Sequence, residues 1–316
     1  MSGFHLLEPR ASTFASSYDW LFFTMVVMCS VVAIGVFVVL TVFSIRYRRG
    51  ASVDRTPFSG SSHPIEYAWT ITPFLIFLGI FVWAAILYAE AKTPPPGALD
   101  VSVVAKQWMW KLQHSEGRRE INELHLPLGR PVRLVMTSED VIHSFYVPAF
   151  RVKQDVLPGR YTELWFQATR TGQYPLECAE YCGTDHSRMV GEVIVMQPAQ
   201  YAAWLAQGNP APSMAAAGEE RFRSLGCSGC HGANASVHAP KLEGVFGHPV
   251  HLSDGRTVIA DESYIRDSIL LPTKDVVAGF VPIMPSFQGQ VSEGDLLELI
   301  AYIKSLANAA PPPRQR

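Results

Sequence analysis

Two thiols, an imidazole and a thioether fall in one short run, Cys178-Ala-Glu180-Tyr-Cys182-Gly-Thr-Asp-His186-Ser-Arg-Met189. These are soft ligands that suit copper. A single Cys with His and Met would serve a mononuclear electron-transfer copper. A second Cys four residues on lets two sulfurs bridge two metal ions, so the run points to a binuclear copper centre. A further imidazole is available at His143, in Glu139-Asp-Val-Ile-His143-Ser-Phe-Tyr-Val-Pro148, upstream of the run and on a different strand. A site drawn from two separate loops is held rigid, which suits a redox centre whose ligands should move little. A Cys178–Cys182 disulfide and a zinc site would use the same residues; three-residue gaps occur in zinc sites, but Met189 is a poor zinc ligand.

A second chemistry lies further on, in Phe222-Arg-Ser-Leu-Gly-Cys227-Ser-Gly-Cys230-His231. C-x-x-C-H is a c-type haem attachment signature, in which two thioethers hold the haem vinyls and the adjacent His ligates iron. Alone, the pentapeptide would also fit a redox dithiol or half a zinc site. Pro282-Ile-Met284-Pro offers a sixth ligand, Met284, clamped between prolines; the rival Met214 sits in a Pro/Ala-rich stretch. Four of the five cysteines are used by these two motifs, and Cys29 is left in an apolar helix as a small buried thiol.

The elements that must position these groups change along the chain. Trp20 to Ile45 and Ala68 to Ala89 carry no charged residue and are each long enough to cross about 30 Å of hydrocarbon as a helix. They form a hairpin whose connecting loop holds Arg46, Arg48, Arg49 and Arg55 against Asp54, so the loop is cytoplasmic and everything after Lys92 lies on the other face. After Thr93-Pro-Pro-Pro-Gly97, a stiff exit, come segments rich in β-branched and aromatic residues: Val101–Trp110, Pro131–Met136, Tyr161–Phe166 and Gly191–Met196. They predict a Greek-key sandwich. Beyond it, Ser292-Glu-Gly-Asp295 opens a helix as a capping box does, with Leu296, Leu297, Ile300, Ile303 and Leu306 on one face. The expected organisation is an N-terminal arm and hairpin over 1–92 (helices about 20–45 and 68–89), a copper domain over 93–200, a linker over 201–217 and a haem domain over 218–308. A formal charge of −2 and no Gly-rich phosphate loop leave no reason to invoke nucleic acid.

At both cysteines, Glu180, His186 and Met189 the first run resembles the copper A loop of cytochrome c oxidase subunit II. The resemblance makes the sandwich a cupredoxin. It implies that Cys178 and Cys182 bridge the coppers, that His143 and His186 cap them, that Met189 ligates weakly, and that the carbonyl of Glu180 completes the site. Its side chain would reach a magnesium ion at the contact with subunit I. Gln107-Trp108-Met-Trp110 is similar to the aromatic stretch where the family admits electrons, with Trp108 at the entry position; the chain then departs from the family pattern with Lys111-Leu-Gln-His114. Glu66, in His63-Pro64-Ile-Glu66, matches the family's glutamate at the cytoplasmic mouth of a proton channel, although an acid in a first helical turn also simply favours the helix dipole. Asp155 and Arg160 match positions near the subunit I contact. Ala239-Pro240-Lys-Leu resembles the stretch whose proline carbonyl orients the haem histidine, and the last segment resembles an all-α class I cytochrome c with Met284 axial.

Hairpin, copper domain and cytochrome domain together resemble subunit II of the cytochrome-c-fused, caa-type haem–copper oxidases. The resemblance implies an electron-entry subunit of a proton-pumping terminal oxidase in a bacterial inner membrane. Its partners would be subunit I, subunit III, membrane lipid and an external donor such as cytochrome c or another respiratory complex. Electron entry to a copper-dependent nitric oxide reductase, or a free-standing membrane shuttle, would use the same module; Glu66 and Glu180 weigh against the shuttle. His5, His63, His114, His125, His238, His248 and His251 have no ligand partner at diagnostic spacing and are expected to be surface or hydrogen-bonded residues.

Overall fold

The computed structural model describes residues 8–54, 63–207, 212–232, 235, 237 and 239–306. Arg55, His5 and His238 lie outside the described residues. Two helices, α1 (Thr13–Arg46) and α2 (His63–Lys92), are long and apolar enough to cross a membrane, with mean hydropathies of 2.9 and 2.3. Both outrun the spans expected from apolarity alone. The reason at the start of α1 is a cap: Ser12 Oγ accepts from Ala15 N at 3.2 Å and donates to Phe150 O at 2.7 Å. That second bond ties the membrane helix to the sandwich, as does Trp165, whose indole donates to Glu90 O at 3.0 Å and packs edge-on to Phe14. Asp19 adds ion pairs to Arg10 (2.7 Å) and Arg151 (2.9 Å). The hairpin and the β-domain therefore meet through specific contacts.

The sandwich contains β1 (Leu99–Lys106), β2 (Met109–His114), β3 (Arg119–Ile121), β4 (Glu123–Pro127), β5 (Pro131–Ser138), β6 (His143–Val147), β7 (Val152–Val156), β8 (Thr162–Gln167), β9 (Gly172–Cys178) and β10 (Val190–Met196). One sheet runs β3-β2-β1-β5-β8 and the other β4-β10-β9-β6-β7. The parallel β1–β5 and β4–β10 pairs are the crossovers of a Greek-key arrangement. Trp110, Phe145, Phe150 and Phe166 fill the space between the sheets. The expected single strand Val101–Trp110 is instead two strands with a turn at Gln107-Trp108. Asp140 captures Gln107 N at 2.8 Å, and the reversal buries Trp110 while sending Trp108 to the Cys182 loop.

The stretch expected as linker is helical at both ends, in α3 (Pro198–Ala206) and α4 (Met214–Ser224). Met214 is not a loose linker residue: it is 4% exposed. Then follow α5 (Ser228–His231), the hairpin β11 (Pro249–His251) and β12 (Thr257–Ile259), α6 (Glu262–Leu270) and α7 (Glu293–Leu306). At the start of α7, Asp295 N donates to Ser292 Oγ and Ser292 N to Asp295 Oδ2, as the capping pattern predicts. Leu296, Leu299, Ile300 and Ile303 pack on Phe222, Ile265 and Ile269. Leu297, expected on that face, instead packs with Val104, Val135 and Met214 against the sandwich. Gly218 lets α4 and α7 touch, since a Cβ there would stand 1.9 Å from Glu298 O.

Candidate metal centres

The end of β9 delivers Cys178, the loop after it Glu180 and Cys182, the following short 3-10 turn His186, and the start of β6 His143. Cys178 and Cys182 are free thiols with their sulfurs 3.8 Å apart. His143 Nδ1 stands 4.0 Å from Cys178 Sγ and His186 Nδ1 3.4 Å from Cys182 Sγ. Met189 Sδ lies 3.7 Å from Cys182 Sγ, and the Cys178 thiol donates to Glu180 O at 3.3 Å. The structure thus brings together all six of the expected copper ligands. His143, Cys182 and Met189 are buried, whereas the Glu180 side chain is exposed.

Three supporting residues went unrecognised in the sequence. Asp140 Oδ1 is 2.9 Å from His143 Nε2, so the carboxylate holds the far side of the ring and leaves Nδ1 toward the sulfurs. This is the carboxylate–histidine–metal arrangement that fixes ring orientation, and its sequence signal was an acid three residues before the histidine. Gln107 donates to Cys182 O at 2.8 Å, alongside the Trp108 indole at 3.3 Å. Gly183, at φ +116°, makes room for both, because a Cβ would meet Gln107 Nε2 at 2.9 Å and the Trp108 ring at 3.3 Å.

The electrostatics of the sulfur pair fit a cation. Burial alone would raise the Cys178 thiol, but hydrogen bonding with His143 and with backbone groups outweighs it and brings the thiol down to about 6. Cys182 is pushed up to about 12 by burial and by the Cys178 charge beside it. Two neighbouring sulfurs that oppose each other's ionisation need a positive charge between them to become thiolates together, which is what metal coordination supplies. The donor set also exceeds the four ligands of a tetrahedral zinc site.

A second cluster behaves differently. Glu120 Oε1 lies 2.8 Å from His114 Nε2, its Oε2 bonds His125 Nδ1, and the outer nitrogen of His114 meets Tyr201 Oη at 3.0 Å. His125 stacks on Trp204. These groups satisfy one another and fasten α3 to the sandwich edge, in keeping with the hydrogen-bonded reading of both histidines.

In the haem motif, Cys227 caps α5, and Cys230 N and His231 N both turn back to Cys227 O, at 3.2 and 3.0 Å. His231 Nδ1 donates to Pro240 O at 2.9 Å, which leaves Nε2 as the free ring nitrogen. Met284, Leu242, Val245, Phe246 and Phe287 are half-buried around the same apolar cluster as Cys227. One free imidazole nitrogen, a thioether and apolar walls suit a haem. Glu66 sits in the first turn of α2 with its carboxylate 3.3 Å from His63 Nδ1. Ser144 donates to Asp155 at 2.8 Å.

A two-helix membrane anchor, a cupredoxin-like sandwich with a Cys/His/Met cluster and a C-x-x-C-H helical domain define a membrane-bound electron carrier. Three family models match the chain in the same order: the transmembrane domain of cytochrome c oxidase subunit II over residues 2–85, its periplasmic domain over 117–197, and cytochrome c over 215–307. Cytochrome c oxidase subunit 2 of Alkalihalophilus pseudofirmus is 28% identical over 95% of this chain and 90% of its own length. That of Thermostichus vulcanus is 33% identical over 64% of this chain and 78% of its own. The periplasmic domain of subunit II of the Bradyrhizobium japonicum oxidase aligns at 31% identity over 36% of this chain and 95% of that one, with a TM-score of 0.35. The chain belongs to the cytochrome c oxidase subunit II family, with a cytochrome c domain fused at its C-terminal end. It is the electron-entry subunit of an oxidase complex, anchored in a membrane with a periplasmic domain, and its two redox domains imply copper and haem c.

Proposed function

We propose that this chain takes electrons from an external donor and passes them to subunit I, where oxygen is reduced to water with proton pumping. Cys227 and Cys230 would attach a haem c ligated by His231 and Met284. Cys178, Cys182, His143, His186, Met189 and the Glu180 carbonyl would hold a binuclear copper A centre. When bound, these groups supply reversible one-electron chemistry. The carrying observation is the convergence of two thiols, two imidazoles, a thioether and a carbonyl at 3.3 to 4.0 Å in a single rigid cluster.

The protein's own residues limit reorganisation. Asp140 holds the His143 ring, Pro240 holds the His231 ring, and Trp108 and Gln107 both anchor Cys182 O. Trp108 is thereby in touch with the copper loop, as an entry residue must be. Tyr181 and Ile142 remain 75% and 44% exposed around the loop, an apolar rim suited to cover by subunit I, with the outward Glu180 carboxylate available to a magnesium ion there. In this reading the two-helix hairpin would put the periplasmic domain and the loop after α1 on opposite faces, so that Arg46, Arg48, Arg49 and Glu66 would face the cytoplasm of a bacterial cell, where Glu66 would take up protons for subunit I. The α1 and α2 flanks, exposed along almost their whole length, would meet lipid and the helices of subunit I, with subunit III as a further neighbour.

Cys178→Ser in the intact oxidase tests this reading. The expected result is loss of the copper optical and paramagnetic signals, with a haem that an external donor still reduces rapidly but that stays reduced under oxygen. Reoxidation at the wild-type rate would refute a path from the haem through the copper centre to subunit I.

A further inference from the structure

The cytochrome domain and the sandwich meet along the outer face of β1, β2 and β5. The centre of this seam is apolar: Val104 and Val135 from the sandwich face Met214 and Leu297 from the cytochrome domain, and all four are buried. Ion pairs surround it. Glu298, 1% exposed, accepts from Arg119 Nη2 at 2.6 Å and Gln113 Nε2 at 3.2 Å, both from the sandwich, and from Arg221 Nε at 2.6 Å in its own domain. On the other side, Lys304 reaches Asp100 (3.2 Å) and Glu262 (3.0 Å), while Arg133 holds Asp100 (2.9 Å) and Glu262 (3.1 Å). Arg266 donates across the seam to Gly159 O at 3.0 Å.

We infer that the cytochrome domain works from one fixed berth on the sandwich instead of roaming on a flexible tether, and that Arg119 is a positioning residue for it. Apolar burial supplies the attraction, but it is non-directional. Buried ion pairs add little net stability and serve best as devices of register. Here Glu298 has its partners divided between two domains, so a rotated domain would bury a carboxylate short of donors, which is costly. The tether is anchored at both ends to the same edge of the sandwich: Arg118 donates to Trp204 O at 2.9 Å, and Met214 N donates to Ser115 O at 3.1 Å. Short tethering keeps the local concentration of the domain high.

The berth is formed by α4, α6 and α7, whereas Val281 and Ile283, beside Met284, stay 72% and 61% exposed. The fixed domain therefore turns its Met284 loop outward, open to an external donor. That consequence rests on the ligand assignment proposed above; the berth itself does not.

Met214 reports on the seam directly, because hydroxyl radicals convert an accessible thioether to sulfoxide. In synchrotron footprinting of the purified oxidase at low salt, wild-type Met214 should oxidise slowly. Arg119→Glu sets a carboxylate against Glu298 from a side chain that is 66% exposed and leaves both domain cores untouched. It should raise the Met214 rate roughly tenfold, the factor that about 1.4 kcal/mol of lost docking produces, while Arg119→Lys stays near wild type. Val135→Glu, which puts a charge at the apolar centre, should act like Arg119→Glu. A wild-type Met214 that oxidises as fast as in Arg119→Glu overturns the fixed berth. Protection unchanged in Arg119→Glu overturns the positioning role of Arg119. Neither readout requires electron transfer, so either failure leaves the ligand assignments standing.

Discussion

The two redox regions are built by opposite means. The copper cluster is held by the protein's own hydrogen bonds: His143 is clamped by Asp140, Cys182 O by Gln107 and Trp108, and Phe145, paired in register with Cys178, is fully buried under the site. Among the described residues, the proposed haem ligands have no such frame. Cys227, Cys230, His231 and Met284 are all half-buried, on a one-turn helix and a proline-rich loop, and their chief polar restraint is the His231–Pro240 bond. A redox copper centre tolerates little ligand movement, so its geometry is invested in two sheets. A haem carries its own rigid macrocycle and covalent attachment, so the chain around it can be short and irregular.

The comparison predicts unequal responses to damage. Phe145→Ala removes a fully buried ring that packs 5.2 Å from Trp110, and should cost about 3–5 kcal/mol. In denaturant titrations of the intact chain, the copper absorption should vanish well before the haem spectrum shifts. Met284→Leu, volume-conserving, should leave both domains folded and the copper signal intact while changing the haem spectrum and slowing electron entry. Simultaneous change of both signals in Phe145→Ala would show that the two regions are not independently supported.

A smaller effect is expected at Glu66. If it takes up protons from the cytoplasm, Glu66→Ala slows steady-state oxygen consumption severalfold with both metal signals normal. Wild-type turnover would reduce Glu66 to a helix-terminus acid paired with His63.

The smallest effect concerns the seam between the regions. Burial disfavours ionised Asp100 and Glu262, but Arg133 and Lys304 outweigh it and hold both carboxyls below their ordinary range, while burial raises neighbouring Glu163. A depressed carboxyl stabilises the docked state above its unfolded value and loses that contribution as pH falls through the folded one. Docking should therefore be intact at neutral pH and loosen below about pH 4, seen as faster Met214 oxidation on acidification. Loosening on raising the pH instead would contradict the charge assignment.

Much of this was legible in the sequence because the chemistry is local. Cys178 to Met189 and Cys227 to His231 are short runs with few alternative meanings, and the apolar stretches announce the hairpin. What could not be read depends on distant contacts. The turn at Gln107-Trp108 is made by Asp140, Met214 becomes buried only because Ser102, Val104 and Val135 face it, and Glu298 looks like a solvated helix position until Arg119 reaches it from another domain. Helical periodicity sets Leu297 on one face with Leu296 and Ile300, whereas it packs against the sandwich; period alone does not say which of two neighbours an apolar side chain meets.

The most direct test of the account is elemental and spectroscopic analysis of the purified chain with its cofactors. The cluster of Cys178, Cys182, His143, His186 and Met189 predicts two copper atoms for each covalently bound haem in the wild type, and retention of the haem without that copper pair in Cys182→Ser. A single copper, a zinc ion in its place, or a Cys178–Cys182 disulfide in the active oxidase would contradict it.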